Sequence, residues 1–104
     1  MALSFSAIST VTYAEAASSS ASANTSEIIS HLDKALVEIN KSDFSAAQIH
    51  LKAARYAAEP LAASSDNGKK AYASLIQGQI KAKVGDVAGA TEVLNKTLEL
   101  FKAL

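Results

Sequence analysis

The chain has 104 residues, ten basic and ten acidic side chains, and a formal net charge of zero. Proteins that bind nucleic acids or anionic membranes usually carry a basic excess, so we expect neither partner here. Cysteine is absent, which excludes disulfides, thiolate metal sites and a cysteine nucleophile. Alanine is the most frequent residue, which is typical of helices and predicts an all-α domain.

The first 16 residues have the layout of a secretory signal peptide. Residues 1–14 carry no charged side chain, and Ala14-Glu15-Ala16 matches the A-x-A cleavage pattern. Cleavage near Ala14 or Ala16 would make the mature chain a periplasmic or secreted bacterial protein. No basic residue precedes the apolar run, so we expect the true start to lie upstream of Met1. The alternatives are a disordered tail and a short structured element.

Four amphipathic helices are predicted after a flexible Ser/Ala-rich segment at residues 17–25. Apolar residues recur three and four positions apart, which is typical of helices that bury one face. The isoleucines and leucines expected on buried faces include Ile28, Leu32 and Ile39 in the first helix, Ile49 in the second and Ile80 in the third. The helices are expected to form two consecutive hairpins in a domain at 26–104, with helices at about 26–40, 43–59, 69–84 and 86–103.

Capping residues predict where the helices begin. Thr25 or Ser26 is expected to cap the first helix, and Ser42 or Asp43 the second, because their side-chain oxygens accept from unpaired N–H groups. Asp86 is expected to cap the fourth helix in the same way.

Proline and glycine predict where the helices end. Glu59-Pro60 is expected to end or kink the second helix, since the residue before proline avoids helical geometry. The segment from Ser64 to Gly68 is predicted to be the main break between the hairpins. Gly85 is expected to end the third helix, and Gly78, within that helix, to mark close packing.

The two hairpins resemble each other when one is shifted by 43 residues. Leucine, aspartate and alanine then coincide at four positions: Leu32 with Leu75, Asp43 with Asp86, Ala47 with Ala90, and Leu51 with Leu94. This pattern raises the hypothesis of a duplication.

The segment from Gly85 to Leu94 resembles the junction of tetratricopeptide repeats, although those repeats have a 34-residue period and an aromatic signature. We therefore expect a closed antiparallel four-helix bundle, with tetratricopeptide-like stacked hairpins as the alternative.

No catalytic or cofactor motif is present, so we predict a non-enzymatic protein without a cofactor. The sequence contains no nucleophile elbow, phosphate-binding loop, dinucleotide fingerprint or zinc-protease motif. The leading interpretation is a small exported helical protein that binds another molecule. Its partner is expected to be another protein or a second copy of the chain, with no membrane insertion of the mature domain.

His31 and His50 are the basis of an alternative function. Both lie at similar distances from the first predicted turn, so antiparallel helices would place them at nearly the same height. They are candidate metal ligands, with Glu27 or Glu38 adding an oxygen, and would make the protein a metal or small-ligand carrier. The competing interpretation is two ordinary surface histidines.

Three aromatic residues are candidates for a second kind of site, an interaction surface. Tyr56, Tyr72 and Phe101 are candidates for an interaction surface, because a domain of this size cannot hide every large side chain. The competing interpretation is that they complete the core.

Overall fold

The structure, a computed structural model, describes the backbone of residues 20–104 and side chains from Thr25 onward. It contains four helices: α1 (Ser20–Asn40), α2 (Phe44–Ser64), α3 (Asp66–Lys83) and α4 (Val87–Lys102). No strand occurs in this part of the chain, which confirms the predicted all-α class. The predicted signal peptide lies outside the described residues.

The helices form a closed four-helix bundle. Helix α1 packs against α2 and α4, and helix α3 packs against the same two helices. The short connections make consecutive helices antiparallel. In a stack of tetratricopeptide type the first and last helices would not pack together, so the closed bundle is confirmed over the stacked alternative.

The core lies along the axis of the bundle and is built from aliphatic residues, one phenylalanine and many alanines. Alanine lets helix axes approach towards the short end of the usual range. The fully buried apolar residues are Ile28, Leu32, Ala35, Ile39, Ala47, Leu51, Ala54, Ala58, Ala71, Leu75, Ala82, Ala90, Leu94 and Phe101. None of the described helices combines the length and the apolarity needed to cross a membrane.

Two isoleucines predicted to extend the buried faces lie outside the core. Ile49 on α2 is 69% exposed and Ile80 on α3 is 50% exposed, whereas the neighbouring Gln79 is only 9% exposed. The buried face of α3 is therefore rotated towards Gln79, whose polar groups find hydrogen-bond partners across the interface with α2.

Helix α1 begins earlier than predicted. It starts at Ser20 rather than at Ser26, so part of the segment expected to be flexible is helical. Adding residues to an existing helix avoids the cost of nucleation, and the alanines in this segment favour helix.

Helix α2 continues through Pro60 to Ser64, so it does not end at Glu59; the other expectation, a kink at Pro60, stays a prediction. Proline removes one hydrogen bond, to the carbonyl of Tyr56, and that residue lies on the exposed face of α2. Water can hydrate the freed carbonyl there, which reduces the cost of keeping the helix.

The break between α2 and α3 is a single residue, Ser65, instead of the predicted five-residue segment. Its backbone is extended, and its side chain caps α3 by accepting from the N–H of Gly68 at 2.9 Å. Gly68 lies in the first turn of α3, where a Cβ would overlap the carbonyl oxygen of Leu61. The missing side chain thus lets α3 begin directly against the end of α2.

The two hairpin turns have the same geometry. In the first turn, the N–H of Asp43 donates to the carbonyl of Glu38, and Ser42 has a φ of 63°. In the second, the N–H of Asp86 donates to the carbonyl of Lys81, and Gly85 has a φ of 78°. Both are Schellman motifs, which end a helix with a residue in the left-handed conformation.

An aspartate caps the next helix in both turns: Asp43, one of the two residues expected to cap α2, and Asp86, as predicted for α4. Asp43 accepts from the N–H of Ala46 at 3.2 Å, and Asp86 accepts from the N–H of Gly89 at 2.9 Å.

Replacing Ser42 with glycine is expected to raise the free energy of unfolding by about 0.5–1 kcal/mol. A left-handed conformation strains any residue with a Cβ, and glycine relieves that strain at some cost in unfolded-state entropy. Chemical denaturation measures the change. Ser30→Gly on the exposed side of α1 is the matched control and should lower stability by about 0.5 kcal/mol. Destabilisation by Ser42→Gly would contradict the turn geometry.

The 43-residue shift also relates the buried positions of the two hairpins. Every buried residue of α1 and α2 has a buried residue 43 positions later. The pairs are Ile28 and Ala71, Leu32 and Leu75, Ala35 and Gly78, Ile39 and Ala82, Ala47 and Ala90, Leu51 and Leu94, Ala54 and Thr97, and Ala58 and Phe101. The hairpins thus share their turns and their buried faces, while duplication remains a hypothesis.

Candidate functional site

A groove lies between α2 and α3, where the two hairpins meet. It has a volume of about 320 Å³. Its lining, which defines the α2–α3 groove, consists of Gln48, Lys52, Arg55, Gln79, Ile80 and Lys83. The α2 residues are spaced four and three apart and the α3 residues one and three apart, so each set lies on one face of its helix.

Gln79 orders the polar lining of the groove. Its Oε1 accepts from Arg55 Nη1 at 3.2 Å, and its Nε2 donates to Gln48 Oε1 at 3.3 Å. Gln48 Nε2 in turn donates to the backbone carbonyl of Gln79 at 3.2 Å. Because these bonds join α2 to α3, the side chains of Gln48, Arg55 and Gln79 are held in place without a ligand, which lowers the entropic cost of binding one.

The charges in the groove are all positive. Lys52 and Arg55 come from α2 and Lys83 from α3, and no carboxylate is among the lining residues. None of the three forms an ion pair with another residue in the described part of the chain. A groove that concentrates one sign of charge raises the local concentration of oppositely charged molecules.

This groove was missed from the sequence because the net charge of the chain is zero. Helices α2 and α3 together carry six basic and two acidic residues, whereas α1 carries one basic and three acidic residues. A usable signal was nonetheless present. Gln48 and Lys83, like Lys52 and Gln79, lie at nearly equal distances from Ser65, so an antiparallel pair of helices places them side by side.

The structure brings His31 and His50 together, as the register predicts. Their ring centroids are 6.1 Å apart, and the ring planes are inclined by 30°. His31 Nε2 lies 3.7 Å from a carboxylate oxygen of Glu27, and His31 Nδ1 is buried without a hydrogen-bond partner among the described residues. Glu38 instead pairs with Lys41 at 3.5 Å.

The metal site itself remains a prediction. Among the described residues, no group of three or more histidine, aspartate or glutamate side chains is placed to hold a metal ion. The histidine pair, His31 and His50, therefore offers two imidazoles, and water would have to complete the coordination sphere of a bound metal.

The three aromatic candidates do not form one surface. Phe101 is fully buried and Tyr72 packs partly against the core, whereas Tyr56 is 63% exposed. Phe101 is therefore part of the core of the closed bundle and does not belong to an interaction surface. An interaction role for Tyr56 remains a prediction; its ring lies 5.7 Å from the guanidinium carbon of Arg55.

Two candidate sites thus lie on different helix pairs. The α2–α3 groove combines a cavity, an ordered polar lining and three cations, whereas the histidine pair joins α1 to α2. Neither a scan against models of protein families nor a search of curated proteins found a match for this chain.

Proposed function

We propose that this chain is an exported, non-enzymatic binding protein whose ligand occupies the α2–α3 groove. The observation that carries the proposal is the ordered lining of that groove, in which Gln48, Arg55 and Gln79 are hydrogen-bonded between the two helices. Ligand sites are typically concave, largely formed in advance and provided with a few well-placed polar groups. The groove has each of these properties.

Export is the second part of the proposal and rests on the sequence of residues 1–16. An uncharged apolar run followed by A-x-A predicts removal of this segment after Ala14 or Ala16. N-terminal sequencing of the protein purified from its natural source tests this. A mature chain that begins after either alanine supports export to the periplasm or beyond, and one that retains Leu3 contradicts it.

Binding in the groove is tested by titrating isotope-labelled protein with a panel of anionic, cationic and neutral metabolites and recording backbone amide spectra. We expect ligands to shift the resonances of the groove residues. Ile80→Glu places a carboxylate at the groove and should abolish the shifts that anionic ligands cause, while Asn95→Glu, an equal change of charge on the exposed side of α4, should leave them intact. Shifts that avoid the groove, or a panel that produces none, would contradict the proposal.

A metal or small-ligand carrier is the second candidate function, favoured by the 6.1 Å separation of the His31 and His50 rings. Histidine imidazoles are common ligands of zinc and copper. The Nδ1 of His31 is buried and has no hydrogen-bond partner among the described residues, so this nitrogen is available as a ligand.

Calorimetric titration with Zn²⁺ and Cu²⁺ tests the carrier function. We expect a dissociation constant in the micromolar range that is lost in the His31→Ala, His50→Ala double variant. Replacing both histidines with glutamine preserves polar side chains at these positions and should abolish binding equally. Titration curves that are unchanged in the double variants would rule out the histidine pair as the site.

A further inference from the structure

We infer that the ligand of the α2–α3 groove is a small molecule with two or more carboxylate or phosphate groups. This inference rests on the proposed function, since it names the class of ligand for the same groove. It follows from the placement of three cations around one cavity, from the donors that Arg55 offers, and from the limited extent of the positive surface.

The cations face the cavity from both helices. Lys52 and Arg55 line it on the α2 side and Lys83 on the α3 side, without a lining carboxylate. Cations gathered without counter-charges repel one another, and an anion bound between them removes that repulsion. Such an anion stabilises the folded state over the unfolded chain, because the unfolded chain does not hold the three charges together.

Arg55 is held in a position that leaves donors free for an oxyanion. One of its five N–H groups donates to Gln79 Oε1, and this is its one hydrogen bond to a described residue. The Tyr56 ring, 5.7 Å from the guanidinium carbon, adds a second contact to the same group. A planar guanidinium fixed in this way forms paired hydrogen bonds to carboxylate or phosphate with little further loss of entropy.

The extent of the positive surface favours a small ligand over a long polyanion. The cavity measures about 320 Å³. The two carboxylates of α2 and α3, Glu59 and Asp66, lie towards the connection at Ser65, and helix α1 on the other side of α2 carries more acidic than basic residues. A nucleic acid needs a longer basic track to neutralise successive phosphates.

The inference is tested by calorimetric titration of the full chain with citrate and with pyrophosphate at low ionic strength, with acetate and glycerol as low-charge and neutral references. We expect citrate or pyrophosphate to bind and to raise the melting temperature, and added NaCl to weaken binding. The polyanion that binds with the higher affinity assigns the ligand to the carboxylate or the phosphate class, and either result supports the inference.

A pair of double variants separates the groove from overall charge. Lys52→Gln, Lys83→Gln removes two groove cations and should weaken binding by at least about tenfold. Lys69→Gln, Lys70→Gln removes the same charge from exposed positions in the first turns of α3, outside the groove lining, and should change affinity by less than about twofold. Circular dichroism confirms that both variants are folded.

Three results would overturn the inference: equal losses in the two double variants, no binding of either polyanion, or binding of glycerol as strong as that of citrate. Neutral ligands that shift the groove amides while the polyanions do not bind would leave the proposed function standing without the inference. If no class of ligand shifts those amides, both the proposed function and the inference are contradicted.

Discussion

Phe101→Ala is expected to lower the free energy of unfolding by about 3–5 kcal/mol. Phe101 is the largest fully buried side chain among residues 25–104, and its truncation removes apolar burial and leaves a cavity inside the bundle. Urea denaturation followed by circular dichroism measures the loss. In a domain of this size that loss is a large fraction of the total stability.

Tyr56→Ala is the matched control for this prediction. Tyr56 is 63% exposed, so its truncation should change stability by less than about 0.5 kcal/mol. The contrast separates a core aromatic from a surface aromatic in the same chain. Equal effects of the two substitutions, or a small effect of Phe101→Ala, would contradict the position of α4 in the bundle.

Gly78→Ala is expected to destabilise the protein by about 1–2 kcal/mol, although alanine normally stabilises a helix. A Cβ at Gly78 would overlap Leu94, with its Cδ2 and Cγ as the nearest atoms. Leu94 is fully buried, so its side chain can move only by displacing its neighbours in the core, and we expect the overlap to outweigh the gain in helix propensity. Thermal and chemical denaturation measure the net effect.

A double-mutant cycle isolates this contact. Leu94→Ala alone should cost about 2–5 kcal/mol, because it leaves a cavity. In that background Gly78→Ala should become stabilising by about 1 kcal/mol, since the overlap is gone and the propensity gain remains. Ala73→Gly, at an exposed position of α3, measures the propensity term alone. Additive effects of Gly78→Ala and Leu94→Ala would contradict the close packing of α3 on α4.

The buried faces of the helices could be predicted because a helix that buries one side repeats its apolar residues every three or four positions. Ile28, Leu32 and Ile39 were assigned to the core of α1 on this basis, and all three are fully buried. Gly78 was expected to mark close packing, and its contact with Leu94 confirms this. The end of α2 was misjudged because the cost of Pro60 depends on exposure, which the sequence does not reveal.

The two candidate sites differ in how far the sequence predicted them. The proximity of His31 and His50 followed from helix register, since equal distances from a turn place residues side by side. The α2–α3 groove did not follow, because periodicity assigned Ile80 to the core and left Gln79 outside. Burial of Gln79 depends on hydrogen bonds to Gln48 and Arg55 on another helix, and hydrophobicity carries no information about such bonds.

The two hairpins close into one bundle, and the α2–α3 groove lies where they meet. In an up-and-down bundle, the end of α4 lies beside the beginning of α1. Nuclear Overhauser contacts from the Phe101 ring therefore test the closure of the bundle most directly. Closure predicts contacts from this ring to the methyl groups of Ile28 or Leu32, in the N-terminal two thirds of α1. Contacts confined to α3 and α4 would contradict it.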